Sequence, residues 1–288
     1  MIDPGFAGWG AHASLWVPEW TRAGAEQAVA AAAGERHDFI EIPLLDPDAV
    51  DTAHTRDLLA RHGLAAVCSL GLPKGCWPSE DFEAAERFLT RALDRAAELG
   101  ASALTGLTYG GIGQITGQPP TERELDASAR LLEAGAYHAR RLDLALGVEA
   151  PNRYENHLIN AANQADAMVR RVGADNIFVH LDTYHMNIEE SGLANGILAA
   201  RETLGYLHLS ESHRGVPGTG TCDWDALFAA LAAIYYRGPL GLESFVHLPP
   251  AIASALAVWR PVAPDAQTVL REGLDHLRVK ARQYGLVQ

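Results

Sequence analysis

Four titratable residues stand at the ends of short segments that are otherwise almost entirely apolar. They are Glu149, Asp182, His208 and Glu243. A carboxylate or an imidazole on a buried apolar strand costs free energy unless it is hydrogen-bonded, paired with a charge or bound to a metal. For one such residue a hydrogen bond would be sufficient explanation. Four of them, on successive segments of the same kind, favour a shared metal site.

The chemistry of this set selects a class of metal ion. Three carboxylates and one neutral imidazole are mostly hard, oxygen-rich ligands, which suit Mn²⁺, Mg²⁺ or Co²⁺ better than ions that prefer thiolates. Zinc stays open on ligand identity, since many sites bind it more tightly than manganese. The cysteines, Cys68, Cys76 and Cys222, form no Cys-x-x-Cys pair and are too few for a disulfide framework.

The elements that must position these residues alternate regularly along the chain. Short apolar segments predict strands buried on both faces, as in a parallel sheet. The predicted strands are Gly10 to Leu15, Asp38 to Ile42, Ala65 to Leu70, Ala103 to Leu107, Leu144 to Glu149, Ile177 to Asp182, Tyr206 to Ser210 and Leu240 to Phe245.

Longer stretches rich in Ala, Glu, Arg and Leu separate the strands and predict helices. They are Thr21 to Ala33, Asp48 to His62, Ser79 to Leu99, Thr121 to Leu142, Leu158 to Val172, Ala194 to Thr203, Trp224 to Ala233 and Asp265 to Tyr284. About eight strand–helix repeats favour an α/β fold of the (β/α)8 barrel type, because right-handed crossovers place every helix outside. An open doubly wound sheet is the alternative, but no Gly-x-Gly-x-x-Gly follows the first strand. We expect a single barrel domain over residues 1–288.

Composition excludes several classes of function. The 288 residues are 48% apolar with a net charge of −13, which indicates a globular protein and disfavours nucleic-acid binding. No amino-terminal signal pattern and no run of 18 apolar residues occur, so we expect a cytoplasmic protein that does not enter membranes.

Long motifs around the four residues resemble those of the ketose 3-epimerases, a group within the xylose-isomerase-like barrels. This group contains the D-tagatose, D-psicose (allulose) and L-ribulose 3-epimerases. The similar segments are Val148 to Glu155, Leu181 to Glu190, His208 to Arg214 with Pro217 to Gly220, and Glu243 to Phe245.

The resemblance implies a role for each matching residue. Glu149, Asp182, His208 and Glu243 would bind one divalent metal ion, Mn²⁺ first and otherwise Mg²⁺ or Co²⁺. Glu149 and Glu243 would also form the acid/base pair of C3 epimerisation, while substrate hydroxyls would contact three further residues, namely Glu155, His185 and Arg214. No glycine-rich phosphate loop with a lysine occurs, which predicts a free ketose as substrate rather than a sugar phosphate. The resemblance further implies a homodimer or homotetramer.

Some positions depart from the family pattern or are left open by it. His213 stands where many relatives have Asn, and the loop Tyr109 to Gly113 lacks the tryptophan of many members. Sugar preference is therefore open. Aromatic residues near Trp16, Phe245 and Trp259 are expected to exclude water from the site.

Three other functions compete with C3 epimerisation. An aldose–ketose isomerase would use the same metal to move the carbonyl between C1 and C2. A metal endonuclease acting at abasic DNA sites would need more histidine and carboxylate ligands for several zinc ions. A sugar-binding barrel without catalysis would need no acid/base pair.

Overall fold

The computed structural model describes residues 3–286, and eight parallel strands close into a barrel at its centre. Each strand pairs with the next along the chain, and the eighth pairs with the first. The strands are β1 (Trp9–His12), β2 (Phe39–Pro43), β3 (Ala65–Gly71), β4 (Ala103–Leu107), β5 (Ala145–Glu149), β6 (Ile177–Asp182), β7 (Leu204–Leu209) and β8 (Leu240–Leu242). The prediction of a (β/α)8 barrel is confirmed.

Helices connect the strands around the outside of the barrel. They are α1 (Arg22–Gly34), α2 (Thr52–His62), α3 (Phe82–Leu99), α4 (Glu122–Arg141), α5 (Ala162–Val172), α6 (Thr183–Glu189), α7 (Leu193–Ala199), α8 (Trp224–Ala233), α9 (Pro250–Ala255), α10 (Ala266–Thr268) and α11 (Asp275–Gln283), the last two joined by a π-helical segment, Val269–Leu274. Among the described residues, no helix has the length and apolar character that crossing a membrane requires.

The structure differs from the sequence-based expectation mainly where elements end. The first strand stops at His12 instead of Leu15, because the His12 ring accepts a hydrogen bond from the Ser14 backbone and a 3₁₀ turn begins. The last strand ends at Leu242, so that Glu243 lies just beyond it. Helices α6 and α9 were not predicted, since both are too short to show a helical period.

Side chains alternate between the two faces of a strand, so every second residue points into the barrel interior. One end of the interior is filled by a small cluster of buried residues, which are Phe6, Phe39, Val67, Ala103, Ala145, Phe178 and Tyr206. Two or four residues beyond the cluster on β2, β4, β5, β6 and β7, toward the carboxyl ends, stand Glu41, Thr105, Glu149, His180, Asp182 and His208. The barrel therefore has an apolar base and a charged mouth at the carboxyl ends of its strands.

Candidate metal centre and active site

The four residues singled out in the sequence all lie at the carboxyl ends of consecutive strands. Glu149 ends β5, Asp182 ends β6, His208 is the penultimate residue of β7, and Glu243 follows β8. All are buried, with exposed fractions from 0% for Asp182 to 9% for Glu149. Such burial of carboxylates demands compensation by positive charge or a metal ion.

The ligand atoms of these residues approach one another in overlapping groups. Asp182, His208 and Glu243 can each offer an atom such that all three atoms lie within 4.8 Å of one another. Glu149 forms a second group of this kind with Asp182 and His185, and a third with His180 and His208. The cluster is thus compact, with Glu149 linked to it through Asp182 and His208.

Arg214 supplies positive charge at the centre of the cluster. Its Nη1 donates to Asp182 Oδ2 at 2.7 Å and also contacts Glu243, while Nη2 lies 3.7 Å from Glu155 Oε1. The guanidinium stacks over the Tyr184 ring, with its carbon 3.8 Å from the ring centroid. This guanidinium therefore faces three carboxylates, those of Asp182, Glu243 and Glu155.

His185 and Glu155 are held in place by a single residue, Asn152. The His185 ring accepts at Nδ1 from the Asn152 backbone N–H (3.1 Å), so that Nε2 carries the proton. The Asn152 amide nitrogen lies 2.9 Å from His185 Nδ1 and donates to Glu155 Oε1 at the same distance. His185 Nε2 then faces Glu149 Oε1 at 3.8 Å and Asp182 Oδ2 at 3.7 Å. This geometry presents a donor and an acceptor beside the acidic cluster.

Burial shifts the pKa values of the acidic cluster. It raises the pKa of Glu149 well above its ordinary value, with the His208 charge opposing and the neighbouring Glu243 and Asp182 charges adding to the rise. Burial also raises the pKa of Asp182, although Arg214 opposes the change. These carboxylates therefore resist simultaneous ionisation unless further positive charge is bound.

The pKa values of the two histidines shift in opposite directions. Burial lowers the pKa of His185 to about 3, so its ring is neutral. For His208, burial works in the same direction but the charge of Glu41, followed by that of Glu243, outweighs it and raises the pKa to about 10.

The residues present fit a divalent cation. His208 Nδ1 is buried without a hydrogen-bond partner among the described residues, and it lies 3.6 Å from Glu243 Oε1. An unpartnered nitrogen beside closely spaced carboxylates is the donor set that a hard or borderline divalent ion requires. Glu149, Asp182, His208 and Glu243 would hold such an ion.

A cavity opens over this cluster at the barrel mouth. Its open space, counted together with the solvent at the mouth, is about 870 Å³. Glu149, Glu155, His185, Arg214 and Glu243 all line it. Part of its wall is apolar and includes Leu45, Leu107, Ile112, Phe245, Leu248 and Ile252. The cavity therefore offers both polar and apolar contacts to a small molecule.

The expected aromatic residues divide between two places. Phe245 lines the cavity as predicted. Trp16 instead packs against His37 at 5.8 Å between ring centroids, and Trp259 is 74% exposed beside a neighbouring groove. Of these three, Phe245 alone is among the residues that line the cavity.

Sequence reasoning missed several residues of the site. Glu41 on β2 accepts hydrogen bonds from Tyr206 and His208, and His12 and Glu41 both line the cavity. Glu41 gave the same signal as the four chosen residues, because it is a charge inside the apolar strand Phe39–Pro43. Asn152 gave no comparable signal, since an asparagine in a loop is common.

Comparison with known proteins agrees with this architecture. Residues 27–279 match the family model described as xylose isomerase-like TIM barrel. An L-ribulose 3-epimerase of Methylomonas sp. (strain DH-1) is 38% identical over 284 residues, covering 96% of this chain and 99% of that protein. A ketose 3-epimerase of Arthrobacter globiformis is 38% identical over 262 residues, covering 89% and 90% respectively.

A solved structure is similar over nearly the whole chain. It is D-allulose 3-epimerase from Methylomonas sp. in complex with D-allulose, with a TM-score of 0.92, 37% identity and coverage of 97% of this chain and 99% of that one. The match in fold, length and sequence extends across every strand that carries the cluster. The chain therefore belongs to the ketose 3-epimerases of the xylose isomerase-like TIM barrel family.

Proposed function

We propose that this enzyme epimerises free ketoses at C3, acting on sugars of the D-tagatose, D-fructose, D-psicose and L-ribulose type. The observation that carries the proposal is the buried cluster of Glu149, Asp182, His208 and Glu243 beneath one cavity. The relatives support the substrate class, since they are named for L-ribulose, ketoses and D-allulose.

C3 epimerisation requires two acid/base groups. One group removes the proton from C3, beside the C2 carbonyl, and the other returns a proton to the opposite face of the resulting enediolate. Glu149 and Glu243 take these roles in the proposal, because they come from β5 and β8 and both line the cavity. Their roles exchange when the reaction runs in reverse. A positioned general acid or base contributes roughly 10²–10⁴-fold to the rate.

A divalent ion, Mn²⁺ in our proposal, would be held by Glu149, Asp182, His208 and Glu243. When bound it would supply Lewis acidity that polarises the ketose carbonyl and offsets the developing negative charge. Mg²⁺ and Co²⁺ suit the same ligands.

The remaining polar residues of the cavity orient the sugar. His185 offers its Nε2 proton, Arg214 offers guanidinium N–H groups, and Glu155 accepts hydrogen bonds from hydroxyls. Phe245 and the apolar wall exclude water, which protects the enediolate from stray protonation.

Product analysis tests the proposed function. The metal-stripped protein receives Mn²⁺, Mg²⁺ or Co²⁺ singly and is then incubated separately with D-fructose, D-tagatose and L-ribulose. We expect the C3 epimer of at least one ketose, with Mn²⁺ giving the highest rate. Aldoses as the only products would instead establish C1–C2 isomerisation, and binding without any product would establish a sugar-binding barrel.

Location and assembly complete the proposal. We place the enzyme in the cytoplasm, supported by three cysteines that are all free thiols in the structure, Cys68, Cys76 and Cys222. The homodimer or homotetramer rests on the family resemblance alone. Light scattering coupled to size exclusion gives the assembly directly, and a monomeric mass would contradict it.

A further inference from the structure

Glu41 is a buried carboxylate that the proposed reaction does not use. It lies in the middle of β2 with 1% of its surface exposed. Its Oε2 accepts a hydrogen bond from the Tyr206 hydroxyl at 2.6 Å and lies 2.6 Å from His208 Nε2. Its Oε1 lies 3.9 Å from His12 Nε2. Among the described residues its ion-pair partners are histidines, and neither lysine nor arginine contacts it.

The contact with Glu41 determines what each nitrogen of His208 does. A carboxylate only accepts hydrogen bonds, so His208 Nε2 must carry the proton that bridges 2.6 Å to Glu41. Nδ1 is the nitrogen that remains for a metal ion, which replaces the second proton of the ring when it binds. It is buried, has no hydrogen-bond partner among the described residues, and faces Glu243 at 3.6 Å.

We infer that Glu41 is a positioning residue that fixes the ring of His208 so that Nδ1 is the atom offered to the metal. This inference rests on the metal centre of the proposed function. A carboxylate that accepts from the second nitrogen of a ligating histidine sets the ring orientation and makes the ligating nitrogen more basic.

The cost of burying Glu41 favours this role over simple packing. The buried hydroxyl of Tyr206 could be satisfied by a neutral acceptor, which would avoid the desolvation of a charge. The surrounding strands also make room for the arrangement. A Cβ at Gly241 on β8 would overlap the Tyr206 hydroxyl and come within 3.1 Å of His208 Cδ2.

Mn²⁺ affinity, measured without any sugar, separates positioning from catalysis. Free Mn²⁺ is followed by electron paramagnetic resonance during titration of the metal-stripped wild type, Glu41→Gln and Glu124→Gln. Glu124 is a matched control because it also pairs with a histidine, with 3.0 Å between its Oε1 and His157 Nε2, outside the cavity lining. Gln also preserves the capping box that Glu124 forms with Thr121.

We expect Glu41→Gln to weaken Mn²⁺ binding by roughly 10–100-fold, the usual effect of losing such a partner. Glu124→Gln should bind like the wild type. Wild-type affinity in Glu41→Gln would overturn the inference and leave the proposed function intact. A wild type that binds no divalent ion would overturn the metal centre and this inference together.

A spectroscopic readout distinguishes positioning from a general loss of stability. In Mg²⁺-loaded protein labelled with ¹⁵N-histidine, the His208 ring should carry its proton on Nε2, with a proton resonance far downfield because of the short bond to Glu41. That resonance should move upfield in Glu41→Gln and stay in place in Glu124→Gln. A proton on Nδ1 in the loaded wild type would overturn the inference, even if Glu41→Gln does not fold.

Discussion

Glu149 and Glu243 transfer the two protons in the proposed reaction, so each is the natural target of an isosteric test. Replacement by glutamine keeps the shape of the side chain and removes its ability to exchange a proton. We expect Glu149→Gln and Glu243→Gln each to retain the fold and sugar binding while exchange of the C3 hydrogen with D₂O falls by at least about 10²-fold. Proton NMR of the sugar at C3 measures this exchange.

The same experiment needs a control outside the cavity. Glu124→Gln makes the identical chemical change at the His157 pair and should exchange at the wild-type rate. Exchange at the wild-type rate in both Glu149→Gln and Glu243→Gln would remove the proposed acid/base pair.

Asn152 orients two of the three residues that are proposed to contact the sugar. Its amide nitrogen lies 2.9 Å from both Glu155 Oε1 and His185 Nδ1. Each hydrogen bond contributes about 1 kcal/mol, and 1.4 kcal/mol is tenfold in rate. We therefore expect Asn152→Ala to lower kcat/KM roughly tenfold or more while Mn²⁺ affinity stays the same. Steady-state kinetics measure the first and titration the second, and an unchanged kcat/KM would refute the orienting role.

At the residue scale, the sequence indicated which charged residues meet at the barrel mouth. It did not indicate the hydrogen bonds that hold them in place. Glu149 and Asp182 could be found because a charge at the end of a buried strand is energetically unusual. Glu41 meets the same criterion, but it lies on β2, away from the four consecutive strands that carry the predicted set. The contacts of Asn152 with Glu155 and His185 depend on how two loops fold together, which no local pattern encodes.

The elements position the site through the ends of strands and the turns that follow them. Asp182 ends β6 and also caps α6, since its side chain accepts from the Tyr184 backbone N–H. This short helix brings His185 back to within 3.7 Å of Asp182 Oδ2. A helix of this length has too few residues for a periodic signal, so the sequence predicted the strand and missed the helix.

A substitution at Gly241 tests how tightly β8 packs against its neighbours in the barrel. A Cβ there would overlap the Tyr206 hydroxyl, and overpacking of a buried site typically costs about 1–3 kcal/mol. We expect Gly241→Ala to lower the free energy of unfolding by that amount and to weaken Mn²⁺ binding, because Tyr206 and His208 must both move. Denaturant titration measures the first effect.

Gly34 at the end of α1 is the matched control for this substitution. Nothing lies within 4 Å of its added Cβ, and alanine is the better helix former. Gly34→Ala should therefore leave stability unchanged or raise it slightly. Equal free energies of unfolding for Gly34→Ala and Gly241→Ala would show that β8 accommodates the added Cβ without loss of stability.

On the scale of the whole molecule, the repeated alternation of strand and helix made the barrel predictable. Eight apolar segments, each followed by a helical stretch, leave few topologies that bury every strand. The short helix α9 contributes Ile252 to the cavity wall. It lies outside the alternation of strand and helix, so the sequence did not predict it. The single domain over residues 1–288 stays a prediction.

Metal binding should stabilise the folded chain as a unit. A ligand that binds only the folded state at about 100 times its Kd adds roughly 2.7 kcal/mol to the free energy of unfolding. We expect Mn²⁺ to raise the Tm of the stripped protein by several degrees and to have a much smaller effect on Asp182→Asn. Calorimetry at matched protein concentration measures both, and an equal rise in the two proteins would place the ion elsewhere.

The most direct test of the central claim is to locate the ion. Crystals of the metal-stripped protein soaked in Mn²⁺ give an anomalous difference map at the manganese absorption edge. The account predicts one strong peak in contact with Glu149, Asp182, His208 and Glu243 at the barrel mouth. A map with no peak there, or a peak bound by other residues, would contradict it.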